Sequence, residues 1–315
     1  MNITKRQTPR AGGAVTAREA AASRMRRRAQ SWLTAYLFLL PAVALYAIFV
    51  LRPTIEVFVL SLYKWNGIAA DRQWVGLANF QKLFADTIFW QAFRHNLTWT
   101  VVIVFFNVLI GLVAAALLSM NIKGRVIFRL GYFLPVVQAS IVTAMIWRWI
   151  YNPDGLLNAS LHAIGLGSLA RGWLGDFTLA LPALAVAAGW SGFGLSVVIF
   201  LAGMQGVDQT LYDAARIDGA NSRQTFLYVT IPSLRNVITI VVILAMIGAF
   251  QAFDIIWATT RGGPIRSTEM LATYMFKKAF TENQYGYASA VAVVLCAIIL
   301  GFSSVYVSIR ERGND

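Results

Sequence analysis

The 315-residue sequence contains one cysteine, Cys296, and two histidines, His95 and His162. A single thiol excludes an intrachain disulfide. The two histidines lie far apart and lack ligand spacing, so no metal site is visible. Charged residues make up only 13% of the chain, too few to cover a soluble domain of this length. No G-x-x-x-x-G-K-[ST] is present, which excludes a phosphate-cradling loop of that kind. H-E-x-x-H, G-x-S-x-G and paired acids on one apolar run are missing too, which leaves no visible hydrolytic machinery.

What is present is apolar. Hydrophobic residues account for 58% of the chain, and the mean hydropathy is +0.61. They collect in runs long enough to cross a bilayer, which takes about 20 helical residues. The class is therefore all-α: a polytopic membrane protein with six transmembrane helices. The spans are predicted at about 32–51, 97–120, 127–151, 179–204, 237–259 and 287–309. Pro41 and Pro135 fall inside the first and third, and Pro41 is a predicted kink. The first span runs on too long for a cleavable signal and lacks a small-residue cleavage site, so it reads as a retained anchor.

The net charge of +13 raises the question of nucleic acid. Position answers it. Eight Lys and Arg lie in the first 31 residues, including "RMRRR" at 24–28, and a basic flank before a hydrophobic span marks the cytoplasmic side. With the N-terminus inside, the tail 1–31, the "NIKGRVIFR" turn, a polar segment at 205–236 and the tail 311–315 are all cytoplasmic. Those segments and the "IR" that leads into the final tail hold 16 of the 27 basic residues. Topology and attraction to membrane lipid account for the charge, with no nucleic acid. The outer segments, about 52–96, 152–178 and 260–286, are rich in Trp, Asn and Gly, which suits a membrane interface and offers a surface to an external partner. Few charges lie within spans, Asp254 and Arg148 being the notable ones. That pattern gives poor support to an ion-coupled carrier. Uphill movement of a solute then needs energy from another chain.

The polar segment "LYDAARIDGANSRQTFLYVTIPSL", 211–234, reads as helix–Gly–helix. Asp208 or Thr210 caps a helix running through Ile217. Gly219 suits the left-handed position after it. Asn221 or Ser222 caps a second helix to about Val229, and Pro232 discourages its continuation. Spacing alone leaves two readings: an amphipathic connector on the membrane, or a docking element.

Within it, "YDAARIDGANSRQTFLYVTIP" resembles the cytoplasmic EAA loop of binding-protein-dependent ABC importer permeases. The family pattern is Glu-Ala-Ala, three residues, Gly, nine residues, Ile-x-Leu-Pro. This chain has Asp213-Ala214-Ala215, three residues, Gly219, nine residues, then Val229-Thr230-Ile231-Pro232. Asp213, Val229 and Ile231 depart conservatively. "FRLGYFLPVV", "IYNPDGLLN", "TTRGGP" and "LRPTIEVFVLSLYKWNG" resemble the sugar-type branch. The likeness covers about 32–310.

The resemblance implies a type I ABC importer transmembrane domain over 32–310 with a cytoplasmic coupling-helix loop. The chain would be a non-catalytic permease subunit, half of the pathway for a carbohydrate. Its implied partners are a second permease, a pair of ATPase subunits and an extracytoplasmic binding protein. The chain itself carries no cofactor, since ATP and Mg bind the ATPase. Asp213, Ala214, Ala215, Arg216, Asp218, Gly219 and Pro232 are the implied coupling residues, in the bacterial inner membrane with both termini inside. The competing readings are a stand-alone secondary carrier, an assembly or receptor protein, and, within the family, a permease for a glycerol-phosphate-type solute.

For the solute path, the fourth and fifth spans are the candidates. Trp190 and Phe193 are three apart, with Ser191 between them; Gln251 and Phe250 lie three and four residues before Asp254. Helix packing is the competing reading for Trp190 and Phe193, and an interhelical hydrogen bond for Gln251 and Asp254. An acid at membrane depth disfavours a phosphate-bearing solute and favours a neutral polyhydroxyl one.

Overall fold

The computed structural model describes residues 32, 36–120 and 124–312. The tail 1–31, part of the "NIKGRVIFR" turn and residues 313–315 of the C-terminal tail lie outside these. The chain divides into two units, 1–56 and 57–315. In the first, residues 36–56 are helical and almost wholly exposed apolar side chains, such as Phe38 and Phe49. They belong to α1 (Tyr36–Leu60), which carries a π-helical turn over Ala47–Leu51.

The second unit is built from helices with one small ladder, β1 (Tyr63–Lys64) antiparallel to β2 (Gln73–Trp74). Helix α2 (Ala78–Ala85) follows, then α3 (Thr87–Ser119). Helix α3 begins ten residues before the predicted 97, because the Asp86 carboxylate caps it, accepting from the Ile88 N–H at 2.9 Å. The third predicted span is not one rod. It is α4 (Arg125–Val137) and α5 (Ser140–Ile150), bent by 103°. Pro135 has no N–H to give the preceding turn, and α4 survives only two residues beyond it before Gln138 and Ala139 go extended.

Helix α6 (Leu156–Ala163) follows α5. Helix α7 (Ala180–Gln205) is the centre of the unit, packed on α3, α4 and α5. Small residues permit this approach. A Cβ on Gly194 would lie 2.1 Å from the Tyr132 carbonyl oxygen, and one on Gly189 would enter the Phe106 ring at 2.6 Å. Asn107, in the π-helical turn of α3, is buried there and accepts from the Ser196 hydroxyl at 2.7 Å.

The polar segment forms α8 (Gln209–Ile217) and α9 (residues 222–233). Helix α10 (Arg235–Phe250) and α11 (Asp254–Thr259) follow, then α12 (Leu271–Phe276) and α13 (Tyr285–Arg312). The Asn96 side chain donates to the carbonyls of Ala249 and Phe250 and accepts from the Leu271 N–H. It thereby supplies partners to backbone groups freed where α10 stops. Among the described residues, five helices are long and apolar enough to cross a membrane. The α4–α5 pair makes six if it counts as one span.

Candidate functional site

Two places on the second unit gather the candidate residues. The first is the polar segment. Asp208 caps α8 by accepting from the Thr210 N–H at 2.9 Å. Hydrogen bonds from the Thr210 backbone and then its hydroxyl hold this carboxyl below its ordinary range. The inner face of α8 seats Ala215 and Tyr212, whose hydroxyl meets the Thr230 hydroxyl of α9 at 3.2 Å. The outer face presents Asp213, Ala214, Arg216, Ile217 and Asp218. Asp213 and Arg216 form an exposed ion pair at 3.3 Å. Ile217 is 86% exposed.

Gly219 sits at φ +75°. The Ala220 N–H bonds the Ala215 carbonyl and the Gly219 N–H bonds the Arg216 carbonyl. This is the paired pattern of a Schellman motif, and the left-handed residue at its centre is what glycine supplies without strain. Asn221 then opens α9 with a reciprocal capping box to Gln224, both bonds 2.9 Å. One expectation is corrected here. The second helix does not end near Val229. It passes through a π-helical turn, Phe226–Thr230, and includes Pro232, stopping at Leu234. The proline lies at the start of the α-helical turn that follows, where a missing N–H is tolerated.

The second place is a cleft of about 790 Å³ between α5 and α11. It opens at the α4–α5 break beside Ala139 and Ser140, and its charged lining residues are Arg148, Asp254 and Arg261. Among the described residues no ion pair joins Arg148 to Asp254. Phe253 and Trp257 form its aromatic wall, stacked at 5.5 Å and 15°. A patch with an acid, bases, hydroxyls and flat rings suits a solute with many hydroxyls and apolar ring faces.

Asp254 is the one predicted pathway residue in this cleft. The stripe drawn through Phe250, Gln251 and Asp254 does not exist, because helix geometry fails between α10 and α11, with Phe253 at φ −133°. Phe250 is buried and stacks on Phe302 at 5.6 Å; Gln251 is exposed at the end of α10. Trp190 and Phe193 also part company. Trp190 packs edge-on to Trp147 at 5.6 Å, and Phe193 to Tyr132 at 5.6 Å. The Ser191 hydroxyl returns to the Ala188 carbonyl at 3.0 Å. Trp190 and Phe193 thus make ring contacts to α5 and α4, and Ser191 bonds within α7. Sequence reasoning missed Phe253 and Trp257, and noted Arg148 without a partner. The signal for Arg148 was a cation within an apolar run, with an acid in another.

A mostly helical, multi-span chain that displays a capped helix–Gly–helix segment at one level and a polar cleft between broken spans defines a class: a membrane transport subunit. Comparison makes the class particular. The family described as binding-protein-dependent transport system inner membrane component matches residues 107–312, and the chain belongs to that family. It is 36% identical over 289 residues to the probable ABC transporter permease protein YurN of Bacillus subtilis (strain 168), covering 91% of this chain and 99% of the relative. It is 34% identical to the lactose transport system permease protein LacF of Rhizobium radiobacter, covering 88% and 94%. A bacterial ABC transporter involved in import of the acidic polysaccharide alginate shares the fold. Its crystal structure matches with a TM-score of 0.79 at 20% identity, covering 92% of this chain and 99% of that one.

Proposed function

We propose that this chain forms half of the transmembrane pathway of an ATP-driven importer for a neutral carbohydrate delivered by an extracytoplasmic binding protein. The observation that carries the reading is the lever at 208–233. Its α8 face is displayed rather than packed, and its bend rests on a glycine at positive φ. Asp213 to Gly219 would seat in a cleft of an ATPase subunit, with Asp213 or Arg216 making charge-assisted contacts there. ATP and Mg would bind that partner. Closure of an ATPase pair would push α8. Because α8 is tied to α9 through Tyr212 and Thr230, and α9 runs into α10 through the buried Leu234, the push would reach the spans as a rigid movement. A second permease would complete the pathway. The lever and both termini would face the cytoplasm, as the basic flank predicts.

The solute class follows from the cleft and from the relatives, several of which are named for sugars. Asp254 and Arg148 offer acceptor and donors to hydroxyl groups. The test is uptake by the chain co-purified with its partner subunits and reconstituted in vesicles. Asp254→Asn is expected to raise KM for the sugar several-fold while basal ATP hydrolysis is kept. Unchanged kinetics would make Asp254 structural. Transport by this chain alone, driven by an ion gradient, would overturn the importer reading.

A further inference from the structure

A cavity and a groove meet beneath the lever, and neither shares a lining residue with the cleft at Asp254. The cavity, about 690 Å³, lies between α8–α9 and the ends of α3 and α7. Its lining is rich in donors: Arg129, Arg216, Tyr212, Ser222, Thr225 and Gln209. The groove, about 380 Å³, runs along α4 and α7 and is lined mainly by apolar side chains, among them Leu130, Phe133, Val197 and Val198. The two share Leu118, Arg129, Leu201 and Gln205. A chamber of mixed lining with many donors and an apolar channel therefore join at a boundary that holds one arginine.

Arg129 is exposed and has no hydrogen-bond or ion-pair partner among the described residues. It stands about one turn into an apolar helix. A guanidinium there keeps its stem against the groove and its head toward the polar level. Arg216, across the chamber, is partly offset by Asp213 at 3.3 Å. With Arg216 already paired, Arg129 is the unpaired charge of the chamber, and it also lines the mouth of the apolar channel. That pairing of features fits a molecule with an anionic phosphate head and a hydrocarbon tail.

We infer that the cavity and groove form a binding site for an anionic phospholipid, its phosphate at Arg129 and one acyl chain between α4 and α7. A basic pocket between membrane helices is a known physical solution for holding such headgroups. The bound lipid would touch the lever at the chamber residues of α8 and α9, among them Tyr212, Ser222 and Thr225.

Native mass spectrometry of the full chain, purified with its co-purifying subunits, tests this with phosphatidylglycerol and phosphatidylcholine as probes. Phosphatidylglycerol is expected to be retained about fivefold better, the weight of one arginine near an anionic headgroup. Arg129→Gln should abolish that preference and Arg129→Lys should keep most of it. Ala202→Phe, which places a ring in the groove, should reduce retention of phosphatidylglycerol with Arg129 intact. Circular dichroism and size exclusion check that each variant is folded. Equal retention of the two lipids by the wild-type chain would overturn the inference. So would displacement by glycerol phosphate alone with no effect of Ala202→Phe, which would make the chamber a soluble-anion site.

Discussion

The lever and the rim around Asp86 and Glu269 are held together in opposite ways. In the lever, most of the bonds that set the shape of residues 208–225 span five residues or fewer: the Asp208 cap, the Ala220-to-Ala215 closure, the Asn221–Gln224 box. In the rim, bonds reach across the chain. Tyr274 and Tyr287 donate to Asp86, His95 meets the Glu269 carbonyl, and Asn96 joins α10 to α12. Glu269 is 1% exposed and pairs with Lys277 at 2.6 Å, with the Thr273 hydroxyl donating at 2.8 Å. A cassette that folds on local bonds can move as a body and display one face. A rim bonded to α3 and α13 resists such movement. The contrast teaches that the two regions should answer substitution differently, the rim in stability and the lever with little change in it.

The largest break should come from the rim. Glu269→Ala removes the acceptor for Lys277 and Thr273 together. Lys277 is 28% exposed and regains some water, so a loss of about 3 kcal/mol is expected, the low end for opening a buried pair. Thermal unfolding in detergent measures it, and Glu269→Gln should recover part.

In the lever the corresponding break is Gly219→Val. Nothing lies within 4 Å of the position a Cβ would take, so the cost is conformational alone, about 1–2 kcal/mol for a left-handed residue. Uptake should fall far more than stability, while ATP hydrolysis by the assembled transporter continues. Equal loss of both would mean that the lever is ordinary scaffold.

This division also explains what the sequence could reveal. The lever was legible because its signals are short-range: a capping Asp, a glycine after the helix, a capping Asn. Its end was misread because a π-helical turn ahead of Pro232 carried the helix past the proline. The cleft was legible only in part. Asp254 stood out as an acid in an apolar run, but the i, i+3 and i, i+4 stripe assumed an unbroken helix, and the carbonyls just before the break at Phe253 are met by Asn96, about 150 residues away. Trp190 and Phe193 share a helix, yet each packs on a ring from a different element. No spacing rule within one segment carries that information.

A smaller effect distinguishes the rim by pH. Burial pushes the Asp86 carboxyl up, but hydrogen bonds from Tyr274, the Ile88 N–H and Tyr287, together with Lys278, bring it below its ordinary 3.8. A carboxyl lowered in the folded state adds stability above its ordinary value and loses it as pH falls through the folded one. The unfolding midpoint should therefore decline as pH drops below about 3.8. In Asp86→Asn the slope in that window should flatten. Persistence of the full slope would move the acid sensitivity elsewhere.

The smallest effect on stability belongs to the lever's displayed face, and it sharpens the comparison most. Asp213 and Arg216 are both largely exposed, and such pairs contribute little, under about 0.5 kcal/mol. Asp213→Ala should thus leave the unfolding midpoint nearly unchanged. If the face exists to meet an ATPase, the same substitution should still weaken that subunit's retention on the purified complex and lower uptake. Arg216→Ala then separates two causes. A loss in both variants points to contacts that each side chain makes across the joint, whereas a loss in Asp213→Ala alone assigns the contact to the carboxylate. Normal retention and normal uptake in both would return α8 to the reading of an amphipathic connector on the membrane, because a docking face whose charges can be removed without consequence is not a docking face.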